Sequence, residues 1–192
     1  ASVATILKGD KNGRKISAMD GFLKNLGMSD IIENLNLKTK SQNLEDIYSE
    51  LSEDDKYINI RNDLDDRIRT DFNKFEIPSH PTIYDMLLLS LRKKDLVATF
   101  NWDPLLLQAY QRVVKITDDL PQLGFLHGNV LVGYCEKDKI AGLLTNNCQK
   151  CHKKFTPSRL LYPVKQKNYN QDSYTFSHWE TLKYYLKDAY QV

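Results

Sequence analysis

Three short segments hold the side chains best suited to chemistry. The first is Thr99-Phe100-Asn101-Trp102-Asp103, which sets an amide and a carboxylate close together directly after an apolar run. The second is Leu126-His127-Gly128. A histidine at the end of an apolar strand can serve as a general base, because imidazole titrates near neutral pH. The glycine after it leaves room for a substrate. The third is Cys135, followed by Cys148-Gln149-Lys150-Cys151-His152. A C-x-x-C pair can turn two thiolates onto one zinc ion, and Cys135 would supply a third ligand. Zinc is favoured here over bare reduced thiols, although three sulfurs do not close a tetrahedral structural site. His152 adjoins Cys151, which strains shared coordination, and His178 is distant, so spacing shows no fourth ligand. Each segment also has an ordinary structural reading. Asp103 can be a helix cap, Asn101 a turn residue, and His127 a plain loop histidine. The common mononucleotide, dinucleotide, zinc-protease and serine-hydrolase motifs are absent.

Composition limits what these segments can belong to. The chain has 192 residues, enough for one domain or one domain with a small insert. It is 41% hydrophobic and 27% charged, which fits a globular protein and excludes a disordered tail or a disulfide-dense miniprotein. No apolar run approaches the ~20 residues of a membrane span. The first residues, Ala1-Ser2-Val3-Ala4-Thr5, do not read as a signal peptide. Three cysteines clustered within one stretch do not form a disulfide framework, so a reducing, cytoplasmic setting is expected. The net charge of +2 hides a split. Residues 30–76 carry 13 acidic and 7 basic side chains, whereas 136–170 carry 2 acidic and 8 basic. The basic part lacks the aromatic interleaving of a single-strand platform and reads as a solvated surface rather than a nucleic-acid interface.

The positioning elements follow from caps and periodicity. No proline precedes Pro78, and the first third of the chain reads as helical. Ser17-Ala18-Met19-Asp20 resembles a capping box, with Gly27 as the stop. Asn43 can cap a helix carrying Leu44, Ile47, Tyr48 and Leu51. Leu64, Ile68, Phe72 and Phe75 form the apolar stripe of another. Thr82-Ile83-Tyr84-Asp85 opens a helix through Leu91. Leu96-Val97-Ala98-Thr99-Phe100 then reads as a buried parallel strand. Asp103 as N-cap and Pro104 after it begin the next helix. Leu123–Leu126 forms a second strand ending at His127, and Val130-Leu131-Val132 a third leading to Cys135. The cysteine segment up to Pro157 reads as loop, Leu160–Val164 as a short extended run, and Ser177-His178-Trp179-Glu180 as a capping box starting the last helix. A strand–helix–strand order favours a doubly wound α/β sheet, whose carboxyl edge is where ligands bind. Two good strands are fewer than such a sheet needs.

Together these pieces resemble the sirtuin superfamily, and within it the bacterial sirtuin-like NAD-consuming proteins, many of them in anti-phage defence systems. Thr99-Phe100-Asn101-Trp102-Asp103 is similar to the family's Thr-x-Asn-x-Asp motif, and Leu126-His127-Gly128 to its His-Gly motif, in the family's order. Cys135 and Cys148-x-x-Cys151 fall where the family carries its zinc ribbon, with one cysteine of the first pair missing. Asn43-Leu44-Glu45-Asp46-Ile47-Tyr48 and Pro81-Thr82-Ile83-Tyr84-Asp85 also look like elements of this branch.

The resemblance implies a single sirtuin-like α/β domain over 1–192, with an incomplete Rossmann-like parallel sheet. It implies an acidic helical insert at 28–78 and a cysteine-bearing loop or zinc knuckle at 135–157. Ala1-Ser2 looks like the tail of a glycine-rich phosphate-binding motif, so the chain is expected to be a fragment. NAD is the implied substrate, with zinc structural. His127 is the implied base, and Asn101 orients ribose or water. Asp103 contacts the nicotinamide side or holds its loop, while Thr99 and Ser2 bond cofactor oxygens. Three readings stay open: an NAD hydrolase, favoured by the Asn-Trp-Asp-Pro motif and the insert; a protein-lysine deacylase; and a non-catalytic nucleotide-binding module. The insert is a candidate for contacts with a second copy or a flanking sensor domain.

Overall fold

A computed structural model of the chain describes residues 19–162 and 173–189. The acidic first third folds as its apolar spacing dictates. Helix α1 spans Met19–Asn25 and stops at Gly27, whose φ of +66° suits glycine. Gly27 N donates to Lys24 O, and Met28 N to Leu23 O, which satisfies the helix's last carbonyls. Helix α2 is Ser29–Glu33 and α3 is Leu44–Glu53. Asn43 caps α3, its side chain accepting from Glu45 N at 2.8 Å. A 3-10 turn at Asp55–Tyr57 leads into α4, Ile58–Phe72. The buried Leu64, Ile68 and Phe72 of α4 meet Leu44, Ile47 and Leu51 of α3 and Phe22, Leu23 and Leu26 of α1. The same core takes in Trp102, Val130, Leu160 and Tyr162, so the helices rest on segments beside the strand ends.

The α/β part begins with α5, Ile83–Ser90. Its box is formed: Thr82 N and Thr82 Oγ1 both donate to Asp85 Oδ2, at 2.6 and 2.7 Å. Strand β1 is Leu96–Thr99, α6 is Leu105–Val113, and β2 is Gln122–Phe125. The strands pair in parallel, from Leu96 opposite Gln122 to Thr99 opposite Phe125. Arg112 of α6 clamps this unit. Its Nε donates to Asp85 Oδ1 at 2.9 Å, Nη2 bonds Asp85 Oδ2, and Nη1 donates to Pro78 O at 2.6 Å.

Four expectations change here. β1 is half-buried rather than buried, because among the described residues β2 is its only strand partner. The third strand, β3, starts at Val132 and ends at Cys135, since the Asn129 side chain takes Leu131 N in a turn at 3.0 Å. The cysteine segment is not all loop: β4 (Ile140–Leu143) and β5 (Thr156–Pro157) flank β3 in an antiparallel sheet. Helix α7 spans Ser173–Lys187 and so precedes the box expected at Ser177, whose hydroxyl donates back to Tyr174 O at 2.8 Å. Leu160–Tyr162 joins no regular element, and Ser2, Ser17, Pro163 and Val164 lie outside the described residues. The fold is thus mixed α/β, with a parallel strand pair and a separate antiparallel sheet. No described helix is long and apolar enough to cross a membrane.

Candidate functional site

Parallel pairing decides where the polar residues emerge. β1 and β2 end level with each other, and Leu126 N donates to Thr99 O at 2.9 Å. The loops carrying Asn101 and His127 therefore leave the sheet side by side. Asn101 is exposed, and its backbone N–H donates to Thr99 Oγ1 at 3.1 Å. His127 is half-buried, with its ring 4.7 Å from that of Phe100. Asp103 is buried, and its Oδ1 accepts from Leu105 N at 3.2 Å, closing the turn into α6; the N-cap position expected for Asp103 falls to Pro104, one residue later.

Gly128 serves the fold in a way its sequence context did not suggest. Its φ is +81°, and a Cβ there would lie 2.2 Å from Arg159 O. The space beside it is taken by the 158–161 segment, whose Leu161 N donates to His127 O at 3.0 Å, and not by an opening for substrate.

Sequence reasoning passed over Asn129, which is fully buried and joins both loops. Its Nδ2 donates to Asp103 O at 2.8 Å. Ser158 Oγ donates to Asn129 O at 3.0 Å, and Val130 N donates to Trp102 O at 3.0 Å. Two further residues missed are on α7. His178 Nδ1 accepts from Phe125 N at 2.8 Å, and Trp179 Nε1 donates to Leu126 O at 3.1 Å. The last helix thereby holds the end of β2, immediately before His127.

The helical insert reaches the same loops. Trp102 packs edge-on against Phe72 and Tyr162, with centroids 6.0 and 5.0 Å apart. Tyr162 stacks on Tyr48 at 3.7 Å and donates its hydroxyl to Asp65 Oδ1. Burial pushes the Asp65 carboxyl up, against the opposing pull of Tyr162 and Arg69. A cavity of about 720 Å³ lies elsewhere, lined by insert residues such as Lys24, Asp30, Glu33 and Lys40. It includes none of the strand-end residues, so the chemistry of the strand ends, not concavity, marks them as the candidate site.

A second constellation forms on the antiparallel sheet. β3 delivers Cys135, and the turn into β4 folds Asp138 back over it. The ligand atoms of Cys135, Asp138, Cys148 and Cys151 all lie within 4.8 Å of one another. Cys135 Sγ is 3.5 Å from Cys151 Sγ and 3.3 Å from Asp138 Oδ2, and Cys148 Sγ is 3.1 Å from that oxygen. A tetrahedral zinc with bonds of about 2.3 Å to sulfur and 2.0 Å to oxygen needs S···S near 3.8 Å and S···O near 3.5 Å. A disulfide would need about 2.05 Å. The four side chains can therefore hold a metal ion, and Asp138 supplies the ligand that cysteine spacing lacked. Hydrogen bonds from the thiols, that of Cys151 foremost, hold the Asp138 carboxyl down at about 2. The bond to Asp138 in turn pushes the Cys151 thiol up to about 11.

The chain matches no family model, and no curated protein matches it. Ser2 falls outside the described residues, so the site rests on Thr99, Asn101, Asp103 and His127, to which the structure adds Asn129, His178 and Trp179 as positioning groups. Asp138 had one sequence signal: it sits in a Lys-Asp-Lys turn three residues after Cys135, where a hairpin brings it back to its own strand.

Proposed function

We propose that this chain is the NAD-cleaving part of a sirtuin-like enzyme, with its parallel strand pair the centre of a Rossmann-like sheet. The observation that carries the reading is the placement of Asn101 and His127 on adjoining loops at the carboxyl edge of parallel strands. Nicotinamide is cationic in NAD and leaves readily, so the protein's task is positioning and charge stabilisation. Water attacks the ribose C1′ as the bond to the nicotinamide nitrogen breaks. The bonding electron pair neutralises the ring, and His127 accepts the proton of the attacking water. Asn101 orients the ribose or that water. Thr99, whose hydroxyl already accepts from Asn101 N, shapes the turn that presents the amide. Asp103 holds its loop by accepting from Leu105 N at the start of α6. Zinc at Cys135, Asp138, Cys148 and Cys151 is structural, because four protein ligands close the site. By the same resemblance, the biological setting is bacterial anti-phage defence.

The test uses the full-length protein with NAD, following nicotinamide and ADP-ribose with and without an acetylated peptide. Nicotinamide release without peptide, lost in His127→Ala, is expected. Release only with peptide would replace hydrolysis by deacylation. No release under either condition would leave a nucleotide-binding module.

A further inference from the structure

Phe100 is the least explained side chain at the strand ends. It follows β1 directly and is 56% exposed, although burying a phenyl ring is worth about 1.5–3 kcal/mol. Two separate elements supply aromatic surface around it. The loop after β2 brings His127, with its ring 4.7 Å away and tilted by 60°. Helix α7 brings Trp179, at 6.1 Å and 49°. The α7 support is anchored to the end of β2. Trp179 is tied by its indole N–H to Leu126 O, and the neighbouring His178 is tied to Phe125 N. More than half of Phe100 stays open between them, and the exposed Asn101 follows it in the chain. Among the other exposed large apolar residues, Ile83, Met86, Leu87 and Leu89 on α5 are aliphatic, and the aromatic Phe176 and Tyr184 lie on α7. An open aromatic face with a polar neighbour at a ligand-binding edge suits a planar heteroaromatic ring, which stacks through its π-face and hydrogen-bonds through its rim.

We propose that Phe100, backed by His127 and Trp179, is the stacking platform for a planar ring of the nucleotide. The choice of nucleotide rests on the NAD reading above; the platform itself rests on the ring geometry. Nicotinamide and adenine share the required chemistry, and the experiment separates them. Binding of free nicotinamide and of AMP to the full-length protein is measured by calorimetry, with the wild type, Phe100→Ala and Phe100→Tyr. Neither probe has a nicotinamide–ribose bond to cleave, so binding is read without turnover. Stacking of a base on an aromatic side chain predicts a loss of roughly 10-fold or more in affinity for one probe in Phe100→Ala, with recovery in Phe100→Tyr. Loss for nicotinamide alone assigns the platform to that ring, and loss for AMP alone assigns it to adenine. A wild type that binds neither probe overturns the proposal. So does a Phe100→Ala protein with unchanged melting temperature and affinities within about twofold of wild type. Ring binding without NAD cleavage would sink the hydrolase and leave the platform standing. Cleavage with ring affinities indifferent to Phe100 would do the reverse.

Discussion

Replacing Gly128 by alanine should damage the fold far more than one methyl group suggests. The new Cβ would lie 2.2 Å from Arg159 O and 3.1 Å from Arg159 C, where ordinary contact begins near 3.4 Å. One backbone must retreat by about an ångström. Neither does so freely. Gly128 N donates to Phe125 O at 3.1 Å, Leu161 N to His127 O at 3.0 Å, and Ser158 Oγ to Asn129 O at 3.0 Å. Breaking two such bonds costs about 1 kcal/mol each, and alanine at a φ of +81° adds about 1 kcal/mol more. A destabilisation of about 3 kcal/mol or more follows, a large part of the ~5–15 kcal/mol that holds a domain. The matched control is Gly21→Ala. Gly21 lies within α1, nothing stands within 4 Å of where the added methyl group would sit, and helix propensity favours alanine there by up to about 1 kcal/mol. Urea unfolding followed by far-UV circular dichroism gives both values. A Gly128→Ala protein within about 1 kcal/mol of wild type would show that the 158–161 segment does not press on this loop.

Three further outcomes are expected. The protein should carry one zinc per chain by mass spectrometry, and Asp138→Ala should weaken zinc binding by about 10-fold or more, since a fourth ligand is lost; a wild type purified and dialysed with zinc that stays metal-free would refute the site. Asn129→Ala should cost about 2 kcal/mol, because Asp103 O and Leu131 N lose their buried partner, and an unchanged unfolding midpoint would count against its tying role. Asp85 should make stability fall in acid: burial raises its carboxyl, but Arg112 and Thr82 outweigh this and hold it below the ordinary value. A depressed folded-state value means the contribution is complete above the unfolded value of about 4 and is lost as pH falls through the folded one. Asp85→Asn should therefore be less stable than wild type by about 2 kcal/mol near neutrality, and the gap should close below about pH 4; a gap that persists in acid would mean the pair acts through packing instead.

What the sequence discloses about this chain depends on how far away each partner lies. Asn43 finds Glu45 two residues on, Thr82 finds Asp85 three residues on, and both caps are legible from local chemistry. The stripe of α4 is equally plain, since Leu64, Ile68 and Phe72 repeat at the helical period. The turn after β1 is legible because Asp103 and Leu105 are neighbours. Asn129, in contrast, bonds Asp103 from 26 residues away, and His178 meets Phe125 from 53 away. No periodicity encodes such pairs. Gly128 shows a subtler limit: its residue type is plain in the sequence, but the backbone that demands it, at Arg159, belongs to a segment without regular structure.

The insert changes meaning for the same reason. Its acidic surface first suggests an appendage turned toward other proteins. Its apolar face instead shares one core with Trp102, which stands between Asn101 and Asp103 in the strand-end loop. Tyr162 completes the junction by joining Tyr48 and Asp65 of the insert to the chain beyond Leu161. A helix shift in the insert that moved Phe72 or Tyr162 would repack Trp102, and with it the backbone that presents Asn101. Close-packed interiors pass such displacements on rather than absorb them. A partner bound to the acidic face could therefore act on the strand-end site through packing, with no contact to the residues that carry the chemistry.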